Sequence, residues 1–258
     1  MATSATAASA QTAHRPRFYL WMAVAVVLIA FGGFMPTYWS RVATGSFTGQ
    51  PIMHLHGLLF FAWTLLYFSQ TALVAAGRIP DHRAWGLVGI FMVGMMAISV
   101  PLASINSMWV ADRLGGPAMG DMARRFSVVP FSALPVILGF FGFAIANVRR
   151  PEWHKRLMLM MQIPLLEAAA GRITPYVLFP GGPPEGPPPG AFAAIPGGLA
   201  VDLLIVVGMV HDRRTLGYVH PAYKIGLPII LAVQFLAVPL SMTDGWMRFA
   251  SACQHLVR

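Results

Sequence analysis

Seven times along this chain an apolar stretch, near the roughly 20 residues needed to cross a bilayer core, gives way to a short polar connection. The stretches are Phe18–Met35, Ile52–Ala76, Ala84–Ile105, Ser127–Asn147, His154–Phe179, Phe192–Val210 and Tyr223–Met242. Glycine and proline recur inside them, at Gly94, Pro101, Pro135, Pro164 and Pro228 among others. Water-exposed helices resist such residues; bundled membrane helices tolerate them, because neighbours satisfy the freed backbone groups. The pattern predicts an all-α, polytopic transmembrane bundle of seven spans. Residues 1–17 read as a disordered tail, 18–246 as the seven-helix domain and 247–258 as a C-terminal tail. The Pro/Gly-rich run 180–190 reads as an outer loop and spacer.

Composition agrees with this pattern: 57% of residues are hydrophobic and 10% charged, and mean hydropathy is +0.64. The net charge of +9 raises the question of nucleic acid. The basic residues, however, sit in the connections, where the positive-inside bias and anionic headgroups account for them. The expected partner is therefore the lipid bilayer and not nucleic acid, with a small-molecule ligand or a membrane-complex partner as further candidates. Alternate connections hold eleven and six of the Lys and Arg residues when Arg172 is set aside. That asymmetry predicts the N-terminus inside and the C-terminus outside. The polar start, MATSATAASAQTA, lacks the order of a cleaved signal peptide, so targeting is expected to fall to the first span. One cysteine, Cys253, forms no internal disulfide and no cysteine-ligated metal site.

The chemistry centres on Arg149–Arg172, RRPEWHKRLMLMMQIPLLEAAAGR. A basic cluster containing His154 opens an apolar helix that carries Glu167 and ends near Arg172. An ionisable group inside a span is costly and marks a functional candidate. Histidines at positions 82, 154, 211 and 220 fall at helix mouths on one membrane face. His82 and His154 are candidate axial ligands of a haem, with Arg83 and Arg156 for its propionates. Interfacial histidines with no ligand, beside an Asp81 helix cap, are the competing reading.

In the second span His56, Trp63, Tyr67 and Gln70 share one face, whereas His54 and His56 point to nearly opposite sides at about 100° per residue. Such a polar stripe faces other helices or a cavity, either for interhelical hydrogen bonds or for a cofactor, a quinone-like headgroup or a proton path. Glu167 lies roughly 20 Å along the helix from His154. It therefore shares its leaflet with His56, Arg172 and Asp202. Pairings of Glu167 with His56 and of Arg172 with Asp202 are expected, and the histidines and carboxylates together are an adequate divalent-metal ligand set. The methionine clusters read as packing.

The basic pair Arg149–Arg150, His154 followed by Lys155, Met158 four residues on and Arg172 eighteen on together resemble the core motif of a family of predicted multi-span bacterial membrane proteins of uncharacterised activity. His82, Arg83 and Gly86 resemble that family's earlier HR-x-x-G motif. The match runs from the second span to the fifth, about half of the chain. It implies a multi-pass protein of the bacterial cytoplasmic membrane. The leading functional expectation is intramembrane binding of a cofactor or small ligand of haem or redox type, with His56, His82, His154, Glu167 and Arg172 as the binding residues. The alternative is a proton-coupled transporter, or an assembly or structural subunit without chemistry of its own.

Overall fold

A computed structural model describes residues 17–47, 49–178 and 190–256. All regular structure among these residues is helical: α1 (Phe18–Gly33), a π-helical turn (Met35–Trp39), α2 (Ser40–Ala43), α3 (Pro51–Ala75), α4 (Ile79–Phe126), α5 (Val128–Ala146), α6 (Pro151–Leu178), a 3-10 segment (Gly190–Ala194), α7 (Ile195–Leu216), α8 (Pro221–Ser241) and α9 (Asp244–His255). Five helical stretches are long and apolar enough to cross a membrane, and one of them, Ile79–Ala146, joins α4 to α5. Residues 1–16 of the expected N-terminal tail, residues 48 and 179, residues 180–189 of the expected outer loop, and residues 257–258 lie outside the described residues.

Several of these helices begin at a proline, as α3, α6 and α8 do. A first-turn proline has no amide hydrogen to leave unpaired, and its fixed φ suits the helix. The helix at the centre is α6, against which α1, α5, α7 and α8 pack. Leu159, Met160, Met161 and Ile163 on α6 are fully buried, so the middle of this helix faces protein on all sides. The outer helices instead present large apolar side chains such as Leu28, Leu58, Phe91, Phe143, Leu203 and Leu236 outward. A lipid surround accommodates that arrangement without cost, whereas water would not.

Helix continues where the sequence pattern predicts a connection and a tail. The α4 helix extends past Ile105 to Phe126, broken at Gly116, whose φ of 73° lies in the region that only glycine enters freely. Pro117 restarts the helix after the kink, and its second arm folds back on the first. Arg124 Nη1 donates to Asp112 Oδ2 at 2.7 Å and to Gln254 Oε1 of α9 at 2.9 Å. The C-terminal segment, likewise, is helical as far as His255. Thr243 caps α9 by accepting the Trp246 N–H at 3.1 Å, and Ala250 packs onto Ile105 and Met108 of α4.

The α6–α7 contact depends on a missing side chain. A Cβ on Gly197 would stand 2.6 Å from the Gly171 amide nitrogen and 2.8 Å from its Cα, which are backbone atoms unable to yield. Gly197→Val is therefore expected to force the two helices apart, at a cost of about 1–3 kcal/mol or more. A thermal scan in detergent checks this, with Gly32→Ala as control because nothing lies within 4 Å of the added Cβ there. Equal melting temperatures for the two variants would contradict the close packing.

Candidate functional site

The basic start of α6 builds the floor of one end of the bundle. Arg156, with a side chain 2% exposed, meets Asp212 of α7, which is 0% exposed. Its Nε donates to Asp212 Oδ2 at 2.8 Å, and its Nη2 donates to Oδ1. Its Nη1 turns back to the Glu152 carboxylate at 2.6 Å and to the Glu152 carbonyl at 2.7 Å. Asp212 Oδ2 also accepts the His220 backbone N–H at 3.2 Å. Two tyrosines close the network, with the hydroxyls of Tyr19 and Tyr223 3.3 Å apart. A forked guanidinium saturates the carboxylate that faces it, and this geometry makes a buried pair tolerable. Arg156 is thus committed to α7, which corrects the expectation that it faces a haem propionate.

Glu152 is half-exposed and titrates at this mouth. Its partial burial favours the neutral form, but the hydrogen bonds from Lys155 and Arg156 outweigh that and hold the carboxyl below its ordinary range. A depressed carboxyl contributes stability above its unfolded-state pKa and loses it as pH falls through the folded value. Thermal stability is therefore expected to decline on acidification below the ordinary carboxylate range, and Glu152→Gln to shallow that decline. A pH series of melting curves that is the same for both proteins would contradict this.

Of the four histidines predicted at helix mouths, two come together. His82, in the first turn of α4, and His154, in the first turn of α6, have ring centroids 6.2 Å apart at 78°. His154 Nδ1 lies 2.8 Å from the Ala144 carbonyl at the end of α5. A carbonyl only accepts, so Nδ1 carries the hydrogen and Nε2 keeps the lone pair; this is how proteins orient a ligating imidazole. His82 Nδ1 is buried without a hydrogen-bond partner, as are the Tyr67 hydroxyl and both amide atoms of Gln70. Tyr67 and Gln70 are one turn apart on α3, and the Gln70 main chain lies beside His82. Buried polar atoms normally find partners, so such a group of orphans calls for an explanation. The other two histidines serve structure. His211 stacks on Phe18 at 3.7 Å, and His220 caps α8 by accepting the Ala222 N–H at 3.1 Å.

The polar stripe on α3 divides along its length. Trp63 and Tyr67 are buried, and Trp63 Nε1 donates to Gln162 Oε1 of α6 at 3.1 Å. His56 Nδ1 lies 3.3 Å from the Ser99 hydroxyl of α4. That contact takes His56 away from Glu167, contrary to the expected pairing. Arg172 likewise does not meet Asp202. It donates to the Thr37 hydroxyl at 3.1 Å and to the Ala168 carbonyl, and lies over the Phe34 ring at 4.2 Å. The arginine turns toward α1 and the π-helical turn because Thr37 and Phe34 are there; α7 lies on another side of α6.

Glu167 instead joins two polar residues, of which the sequence reading weighed Asp202 but passed over Gln234. Gln234 Nε2 of α8 donates to Glu167 Oε1 at 2.7 Å and lies 3.5 Å from Asp202 Oδ1 of α7. A single amide inside an apolar span was the available signal for Gln234. The divalent-metal set of histidines and carboxylates is not assembled: among the described residues no three of His, Cys, Asp and Glu gather to hold an ion. No protein-family model, curated protein or solved structure matches this chain.

Proposed function

We propose that the chain is a seven-span integral protein of a bacterial cytoplasmic membrane, N-terminus inside and C-terminus outside, that holds a redox cofactor of haem type between His82 and His154. Seven helices of 16 residues or more support the span count. The basic mouths at Arg78–Arg83 and Arg149–Arg156 support the orientation. The motif resemblance of Arg149–Arg172 supports a bacterial membrane.

The observation that carries the cofactor reading is the His154 imidazole, held by the Ala144 carbonyl at 2.8 Å with its Nε2 lone pair free and His82 beside it. A bare metal ion needs about four ligands, and among the described residues no third His, Cys, Asp or Glu joins the two imidazoles. A haem brings four nitrogens of its own, and His82 and His154 are the residues that would hold its iron. The unpartnered Tyr67 and Gln70 side-chain atoms would offer hydrogen bonds to a polar edge of the cofactor. Arg83, and not the committed Arg156, is the nearby cation for a propionate. Bound there, the group would supply one-electron transfer. The protein's part is to orient the ligands through Ala144 and to exclude water with α3.

Iron and extractable porphyrin measured on detergent-purified protein test the reading. The expected stoichiometry is about one haem per chain. Protein free of iron and porphyrin after expression with haem supplied would overturn it.

A further inference from the structure

We propose that Glu167, Asp202 and Gln234 form a proton-binding site in the body of the bundle, separate from the histidine pair. The argument rests on donors and acceptors. Glu167 and Asp202 bring four carboxylate oxygens and Gln234 one amide oxygen; against these stands the Gln234 NH2 group. Its nitrogen is already spent, at 2.7 Å from Glu167 and 3.5 Å from Asp202. Asp202 Oδ2 and Gln234 Oε1 remain buried with no partner. Asp202 is only 5% exposed and Glu167 9%, so bulk water is not the missing partner.

Among the described residues the surroundings supply no cation. Asp202 is the charged group that acts on Glu167, and Gln234 is the polar group that acts on Asp202. On α6 itself, Arg172 is engaged by Thr37, Ala168 and Phe34. From α5 the facing polar group is Ser132, whose hydroxyl donates to the Val129 carbonyl at 3.2 Å. Two bare carboxylates in such a place would repel each other with nothing to compensate. One added proton changes the count twice. It neutralises a carboxylate, and it converts an unpartnered acceptor into a donor that another acceptor can take.

Space separates a proton from a larger cation. The cavity between Glu167, Gln234 and Ser132 holds about 20 Å³, room for one water and not for a hydrated ion. The site also has a built wall. A Cβ on Gly198 would stand 2.8 Å from Gln234 Nε2, so the glycine leaves room for the amide to reach the two acids. The proton is held on one of the two carboxyl groups, with the Gln234 amide as their shared partner.

Infrared spectroscopy of the full-length protein in lipid tests this, across a pH series and in H2O and D2O. The expected result is a protonated-carboxyl stretching band at neutral pH that shifts on deuteration, fades as pH rises, and is lost in Glu167→Gln/Asp202→Asn. Should that variant fail to fold, the wild-type pH series decides by itself. A spectrum without this band at neutral pH overturns the proposal, as does a band unchanged in the folded double variant. A band seen only when Na+ is replaced by choline also overturns it, because the occupant is then a metal cation.

Discussion

Arg156→Ala is expected to be the most damaging single substitution at the basic end of the bundle. It leaves Asp212, which is 0% exposed, as an uncompensated charge held against α6 and α8. Removing one partner of a buried pair costs about 3–5 kcal/mol, a large part of the roughly 5–15 kcal/mol that keeps a typical domain folded. Three helices meet at this carboxylate, which accepts from Arg156 and from the His220 amide that leads into α8. Arg156→Lys keeps the charge but not the fork, so partial recovery is expected. The double variant Arg156→Met/Asp212→Leu is expected to be far more stable than Arg156→Ala, because it removes both charges together. Melting temperatures in detergent for the wild type, Arg156→Met, Asp212→Leu and the double variant close a double-mutant cycle. If Arg156→Ala melts with the wild type, the pair holds nothing together.

This pair also marks where sequence stops being informative. Apolar runs of span length follow from the bilayer, so the long helices could be placed from hydropathy alone. The partner of Arg156 is 56 residues away, and no local rule links the two positions. The available sign was that Asp212 stands as an acid among the bases of HDRR, at a mouth where an acid needs a reason. Gly115, Gly116 and Pro117 lie in the connection expected after Ile105, yet one glycine bends and the following proline starts the next arm, so α4 runs on. The α9 helix is amphipathic and mildly polar, a pattern that hydropathy windows pass over and that becomes clear once Ile105 and Met108 give it a surface.

At the candidate sites the same division holds. Helical rise placed Glu167 and Asp202 at similar depth, and the structure joins them through Gln234. Rotation about the helix axis was the harder quantity. Arg172 and His56 turned toward Thr37 and Ser99, groups whose small hydroxyls carry little signal in an apolar run. His82 and His154 shared a membrane face by chain order, but their approach to 6.2 Å depends on the tertiary packing of the helices between them.

His154→Gly carries the second large expected effect. It deletes the imidazole held by Ala144 and leaves a space of its shape, so cofactor retention should fall by tenfold or more, as for loss of an oriented ligand. Imidazole added to the buffer should occupy that space and restore binding in part. A variant that only loosened the α5–α6 contact would not respond to imidazole. His82→Ala is expected to lose the cofactor as well, while His211→Ala, removing a ring stacked on Phe18, should keep it. Loss of cofactor in all three alike would point to general damage and against ligation.

The most direct measurement of the central claim is the optical spectrum of the detergent-purified protein, oxidised and then reduced with dithionite, beside His154→Ala. The account predicts a Soret band that moves on reduction in the wild type and is absent from the variant. A colourless wild-type protein, or a band that survives in His154→Ala, would contradict it.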